Sequence, residues 1–370
     1  PYARLRAEMK KGMKVIVIDP RKTEVANRAT LHLQINPAED PTLLAAFINF
    51  IFKEELYDQA FCSHYLQDIE QLRQLVAPFT PEYAAARCDI AVDDVINAAR
   101  TFATAKKGVA VTGTGPNMAP RAILTEHLVL CLNYICGRVN KMGERVPNPG
   151  LLQPPRPRRA EVNGAQPAFH HGPKARVRDL GQIIGEMPTA TLNDEILMEG
   201  EGQIKALICL GGNPMVAFPD QDKTKRAMEK LDLLVCVDLY KSATAKVADY
   251  IIAPTLSLER DDITMLTDTW YDQPYSHYTR AILPKNDQSR EEWEIYWELS
   301  NRSGIPMDLA GGQLSTERRP SKYEVLEMLT PGSRIPLKEI ASKGKGAIFD
   351  EVQVIVEPGR EDHGALLQLM

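Results

Sequence analysis

The sequence predicts an α/β fold with two parallel-sheet domains. Three observations carry this expectation. Short β-branched apolar runs alternate with segments of helical apolar spacing. The alternation occurs on both sides of a proline-rich stretch, and on each side an apolar run ends in Asp, at Asp19 and at Asp238.

The elements follow in order. Residues 2–11 read as a helix running into a strand. Residues 13–19 form a continuous apolar run bounded by Gly12 and Pro20, the pattern of a strand buried on both faces. A second short strand is expected at 31–35. Asp40 and Pro41 then open a helix over 40–56, with Asp40 expected as N-cap and Pro41 at the first helical position. Leu43, Leu44, Phe47, Ile48, Ile51 and Phe52 recur along it at helical spacing. Further elements are a helix at 93–105, a strand at 108–112 and an apolar helix at 121–136. Seven of the residues from 147 to 173 are proline, interspersed with Arg156, Arg158 and Arg159, which predicts an irregular connection. Order is expected to resume by Gln203. A strand at 204–210, a helix at 220–231, strands at 233–237 and 250–253 and a helix at 291–303 complete the pattern. Strands alternating with helices imply parallel sheets and right-handed crossovers, hence two Rossmann-like units. The boundaries expected are 1–146 and 203–330, joined by 147–202. No short-period repeat is evident.

Composition narrows the class. With 44 Lys+Arg against 49 Asp+Glu, the net charge of −5 argues against a dedicated nucleic-acid binder. No apolar run reaches about 18 residues, so no membrane span is expected. Six Cys make no disulfide framework, and no basic-then-apolar leader is visible, so a reducing, cytoplasmic setting is expected. The chain begins Pro1-Tyr2 and stops on the apolar 366–370. Both ends read as cuts through a longer protein.

Ligands of parallel sheets sit at the carboxyl edge of the strands, and three loops there carry unusual residues. Asp19 ends the first strand, where a carboxylate suits ribose hydroxyls or the N–H edge of a purine. Arg21 nearby could meet a phosphate, or the pair forms a plain solvated turn. Gly211-Gly212-Asn213-Pro214 follows a strand and precedes a helix. It reads either as a turn or as a backbone cradle for an anion, with Asn213 offering donor and acceptor to a ring. It is not the glycine pattern of a dinucleotide fold, so NAD is not indicated. Asp238 ends the strand at 233–237, with Ser242 and Thr244 downstream as hydroxyls for phosphate oxygens at a helix start, or the segment is an Asp turn and an N-capped helix. Two strand-end Asp residues in two domains suggest one ligand with two similar nucleotide ends.

Taken together, Val17-Ile18-Asp19-Pro20-Arg21, Asn36 to Asp40, Gly137-Arg138-Val139-Asn140-Lys141-Met142-Gly143, Gly211-Gly212-Asn213-Pro214 and the segment 238–254 resemble, in order and spacing, the molybdopterin oxidoreductase (dimethyl sulfoxide reductase) family over roughly residues 1–305. Residues 185–190 resemble its formate dehydrogenase-like members. The resemblance implies a molybdenum- or tungsten-dependent oxidoreductase. Its metal is held by the sulfurs of two molybdopterin guanine dinucleotides, a bis-molybdopterin guanine dinucleotide, whose two tails lie in two central α/β domains. By motif, Asp19, Arg21 and Asp40 would hold one dinucleotide. Gly113 and Gly115, on an expected strand-end loop, would lie near the pterins. Gly212, Asn213, Asp238, Ser242 and Thr244 would hold the other. The resemblance further implies a small-molecule redox substrate, an electron-transfer partner or subunit, a [4Fe–4S] cluster and a C-terminal barrel, towards which 331–370 would lead as a linker.

The chain departs from the family pattern in places. Ala38-Glu39-Asp40 replaces Gly-Thr-Asp, and no glutamine follows the glycine pair near Asn117 and Met118. Cys62, Cys88, Cys131, Cys136, Cys209 and Cys236 are scattered, whereas a cluster needs four thiolates at close spacing. Neither the cluster ligands nor the protein ligand to the metal is visible here, so the chain alone is expected to be an inactive central portion. A non-catalytic binding subunit of the same superfamily is the competing expectation. His170-His171 reads as a solvated loop or a metal site, and His127 as a core or edge histidine. Trp270, Tyr271, Tyr275 and Tyr278 read as packing or as the lining of a funnel.

Overall fold

The computed structural model describes residues 2–161, 169–183, 185–359 and 367–368, the backbone alone for 169–171 and 367–368. Two compact units are present. One comprises Pro1–Glu144, Arg158–Ala165 and Ile355–Met370, the other Arg145–Pro157 and Gln166–Val354.

The first unit is built on the helix Asp40–Lys53. Pro41 through Phe52 are all buried, as expected of a helix apolar on every side. The helices Ile69–Val76, Pro81–Cys88, Val92–Thr104 and Ala122–Ile135 surround it in one core with Leu33 and Ile35. Beside them lies a two-stranded parallel sheet, Ile16–Ile18 against Leu31–Leu33, with Val17 opposite His32. The N-cap of the central helix is Glu39, and Asp40 falls in the first turn. Glu39 is fixed there by Arg87 at 2.5 Å and by the Thr42 hydroxyl at 2.6 Å.

The segment expected as a strand at 108–112 joins no sheet. The side chain of Asn133 takes the place of a neighbouring strand. Its Oδ1 accepts from the Ala110 N–H at 2.8 Å and its Nδ2 donates to the Ala110 carbonyl at 2.9 Å. Val109 and Val111 are left exposed. Gly113 and Gly115 therefore do not follow a strand. Gly113 caps the short helix Thr114–Asn117 and Gly115 lies within it.

The second unit contains a three-stranded parallel sheet, with Leu233–Val237 between Ala206–Leu210 and Tyr250–Ile252. The helices Leu192–Leu197 and Gln221–Lys230 pack with it through Ile196, Ala227 and Met228. Order thus begins before Gln203. A second core of this unit gathers Leu151, Leu152, Leu326, Leu337, Ile340 and Phe349. Parts of the expected proline-rich connection and of the expected linker from 331 are accordingly core. The cause is Asp268, fully buried, whose carboxylate accepts from the backbone N–H groups of Leu151 at 2.5 Å and Leu152 at 2.9 Å. Two polar donors that would otherwise bar a proline-flanked segment from the interior are thereby satisfied. Tyr278 is also buried here and its hydroxyl donates to Asp261, so it packs, whereas Trp270 is exposed.

The architecture is therefore mixed α/β with small parallel sheets. Among the described residues, no helix is long and apolar enough to cross a membrane.

Candidate functional site

Two strand–loop–strand segments, 15–33 in the first unit and 234–252 in the second, are built on the same plan, bond for bond. Each strand ends in Asp. The N–H of Asp19 donates to the Leu33 carbonyl and that of Asp238 to the Ile252 carbonyl, both at 3.2 Å. The carboxylate then folds over its own turn. Asp19 Oδ1 accepts from the Arg21 N–H at 2.8 Å, and Asp238 Oδ1 from the Tyr240 N–H at 3.2 Å. A three-residue turn follows, closed by Thr23 N–H to the Arg21 carbonyl and by Ser242 N–H to the Tyr240 carbonyl, each at 2.8 Å. Next, the Thr23 hydroxyl oxygen caps the 3-10 turn Ala26–Arg28, and that of Ser242 caps Ala245–Val247, both at 3.2 Å. The return strand is tied back by a side chain in each case. Val15 N–H donates to Thr30 Oγ1 at 3.0 Å, and Leu234 N–H to Asp249 Oδ2 at 2.7 Å.

Sequence reasoning found the two Asp residues and missed the duplication. Its signal is legible once the segments are set side by side. Asp19 and Asp238, Lys22 and Lys241, Thr23 and Ser242, Ala26 and Ala245, and Ala29 and Ala248 correspond. A search for short periods passes over two copies this far apart.

Each half-buried Asp spends one carboxylate oxygen on its turn, and the other has no partner among the described residues. That leaves one acceptor at each strand's carboxyl edge. In the first unit Asp40 joins Asp19. Burial raises the Asp40 carboxyl above its ordinary 3.8, against its own backbone hydrogen bond, and the Asp19 charge adds to the rise. The folded state therefore holds this proton more tightly than the unfolded chain. Ionised Asp40 costs stability above the ordinary carboxylate range, and the cost vanishes at lower pH where both states are protonated. Asp40→Asn is expected to raise the melting temperature at neutral pH and leave it unchanged near about pH 3. A lower melting temperature at neutral pH would contradict the crowding of Asp40 by burial and Asp19.

Arg21 is exposed on the same loop; Tyr240 holds its position in the second copy. Gly113 and Gly115 are exposed, and a Cβ at either would meet nothing. The chain's own packing thus does not demand glycine there, and the backbone stays open to close approach.

The second unit adds the loop after Ala206–Leu210. Gly211 adopts φ +60°, the left-handed conformation that favours glycine, while its N–H extends the sheet to the Val237 carbonyl at 2.9 Å. The Gly212 carbonyl accepts from the Cys209 thiol at 3.2 Å. Asn213 Oδ1 accepts from the Thr244 hydroxyl at 2.8 Å and from the Thr244 N–H at 3.2 Å. Thr244 Oγ1 in turn accepts from the Met215 N–H at 3.1 Å. Thr244 is fully buried. Its hydroxyl proton is spent on Asn213, so within the chain it joins two loops. Ser242 is half-buried and its hydroxyl proton has no acceptor among the described residues.

The six cysteines are buried. Burial pushes the thiols of Cys62, Cys88, Cys131 and Cys136 up to about 12 and that of Cys236 to about 11, the opposite of what ligating or reactive thiolates need. Among the described residues, no three His, Cys, Asp or Glu side chains group as a metal site. His127 Nε2 lies 3.5 Å from Cys131 Sγ on one helix. The side chains of His170 and His171 lie outside the described residues.

The profile of the molybdopterin oxidoreductase family matches residues 2–302. The F420-dependent formate dehydrogenase subunit alpha of Methanocaldococcus jannaschii is 29% identical over 338 residues, covering 88% of this chain and 47% of its own length. Formate dehydrogenase H of Escherichia coli is 26% identical over 321 residues, 80% of this chain and 42% of its own. The chain thus spans less than half the length of these relatives. Among solved structures, acetylene hydratase from Pelobacter acetylenicus superposes with a TM-score of 0.67 at 19% identity, over 100% of this chain and 52% of that one.

Proposed function

The chain belongs to the molybdopterin oxidoreductase family, and from that premise we propose that its two duplicated loops each hold one guanosine–pyrophosphate end of a bis-molybdopterin guanine dinucleotide. The duplication is the observation that carries this reading, since a ligand with two like ends calls for two like grips. Asp19, with Asp40 beside it, and Asp238 would accept from the N–H edge of a guanine. Arg21 and Ser242 would donate to phosphate oxygens. Gly212 would present backbone to the second pyrophosphate, and the Asn213 amide N–H groups are donors towards it or its ring. Gly113 and Gly115 would let the pterin approach the backbone.

The donor set fits the group. Each loop pairs a carboxylate oxygen that has no partner among the described residues with N–H or O–H donors a few residues away. Molybdenum or tungsten in the bound cofactor supplies two-electron redox chemistry, and the protein supplies grip and orientation. The relatives named as formate dehydrogenases support a formate-like small substrate. Those named as subunits support an electron-transfer partner. Two Rossmann-like cofactor domains within a longer enzyme, one that also carries an iron–sulfur cluster, remain part of this reading.

Calorimetric titration of the 370-residue chain with guanosine diphosphate is expected to give two equivalents bound. No binding would overturn the reading. It would also favour a superfamily subunit that keeps the fold without the cofactor.

A further inference from the structure

Most of the residues shared by the two loops have work to do inside the chain. Asp19 and Asp238 cap their own turns. Thr23 and Ser242 cap the 3-10 turns. Ala26 and Ala245 are buried against their sheets. The other charged positions have diverged: Arg21 corresponds to Tyr240, Glu24 to Ala243, Asn27 to Lys246, Arg28 to Val247 and Thr30 to Asp249. One identical residue is left without structural work. Lys22 and Lys241 are both exposed, and neither makes an ion pair or side-chain hydrogen bond among the described residues. Each sits at the middle of the three-residue turn closed by the 2.8 Å bond between its neighbours. That turn projects from the carboxyl edge of a parallel strand, the edge where ligands of such sheets bind.

We propose that Lys22 and Lys241 are equivalent phosphate-binding residues, each neutralising the pyrophosphate of the group held by its own loop. The inference rests on the reading of the loops as grips for two like nucleotide ends, and adds to it the charge partner common to both. A lysine suits the task in both copies because an ammonium acts as a point charge on a flexible stem and tolerates differences in the surrounding loop. Arg21 has only Tyr240 as its counterpart, so the first three-residue turn carries two cations, Arg21 and Lys22, and the second one, Lys241.

The test uses the 370-residue chain with two probes, inorganic pyrophosphate and guanosine. Lys22→Met and Lys241→Met are each expected to weaken pyrophosphate binding at one site roughly three- to tenfold, the range for an exposed to partly exposed charged contact. They should also reduce its salt dependence and leave guanosine binding unchanged. Lys22→Arg and Lys241→Arg should restore the affinity. Lys14→Met, at an exposed lysine two residues before the first strand, should change nothing. Pyrophosphate binding unaffected by either Met variant would overturn the inference. So would an equal weakening of guanosine, which would mark the lysines as merely structural. If the wild-type chain binds guanosine but not pyrophosphate, the lysine assignment fails while the guanine reading stands. If it binds neither, both fail.

Discussion

Asp238→Asn is expected to bind one equivalent of guanosine diphosphate where the wild-type chain binds two. Asp19→Asn should likewise retain one, and the double variant none. Asn keeps the Oδ1 acceptor that holds the turn to Tyr240 or Arg21. It replaces the remaining carboxylate oxygen by an NH2 group, which opposes the donors of a guanine edge. Loss of a charge-assisted contact costs about 1.5–3 kcal/mol, a factor of about 10 to 100 in affinity, before the new donor–donor opposition is counted. The two sites lie on separate loops and share no hydrogen-bond partner among the described residues, so the effects should add. Unchanged stoichiometry in either single variant would refute the guanine assignment for that Asp. Unchanged melting temperatures would show that the turn itself survives.

Glu294→Ala is expected to destabilise the second unit by about 2–4 kcal/mol, at the lower side of the range for breaking a buried ion pair because its partners reach solvent. Glu294 is buried at the start of the helix Glu292–Ser303. It accepts from Lys285 Nζ at 2.6 and 2.5 Å, from the Glu291 backbone N–H at 2.9 Å, and from Arg319. Burial pushes its carboxyl up, but the cations and the backbone N–H outweigh that and hold it below the ordinary 4.5. Its contribution is therefore full above the unfolded carboxylate range and is lost as the pH falls through the folded value. Urea unfolding at neutral pH and at about pH 3 should show the variant's deficit shrinking in acid. A deficit that stays constant with pH would mean that packing, not charge, is what Glu294 contributes. Glu294→Gln separates the two, since it keeps the shape and the backbone bond and loses only the charge.

Where local chemistry decides, the sequence was legible. The runs ending at Leu210 and Val237 are too short for helices and too apolar for loops, and the strands lie within two residues of their expected starts. The helix after Glu39 is apolar all round, and burial on every side follows. The two strand-end Asp residues stood out because a carboxylate after a buried strand is unusual. The turn was the alternative reading of both, and the structure shows each carboxylate accepting from the N–H two residues on.

The misreadings share one cause. Residues 108–112 have the composition of a strand, but a strand needs a neighbour, and the Ala110 backbone is satisfied by Asn133 from a helix. Leu151 and Leu152 lie among prolines and read as loop, yet they are core because Asp268, far along the chain, accepts from their N–H groups. In each case the residue type states which bonds can form, and a distant partner decides which do.

The sequence by itself determined the alternation of strands and helices, the family, and the Asp at the end of each strand, since all of these rest on short-range pattern and residue chemistry. The tertiary structure decided that two distant segments repeat one another bond for bond. It also decided which of their side chains are consumed in holding the loop and which are left for a ligand. The reason is that a hydrogen-bonding group has a fixed number of partners, and only the folded chain shows which have already been taken.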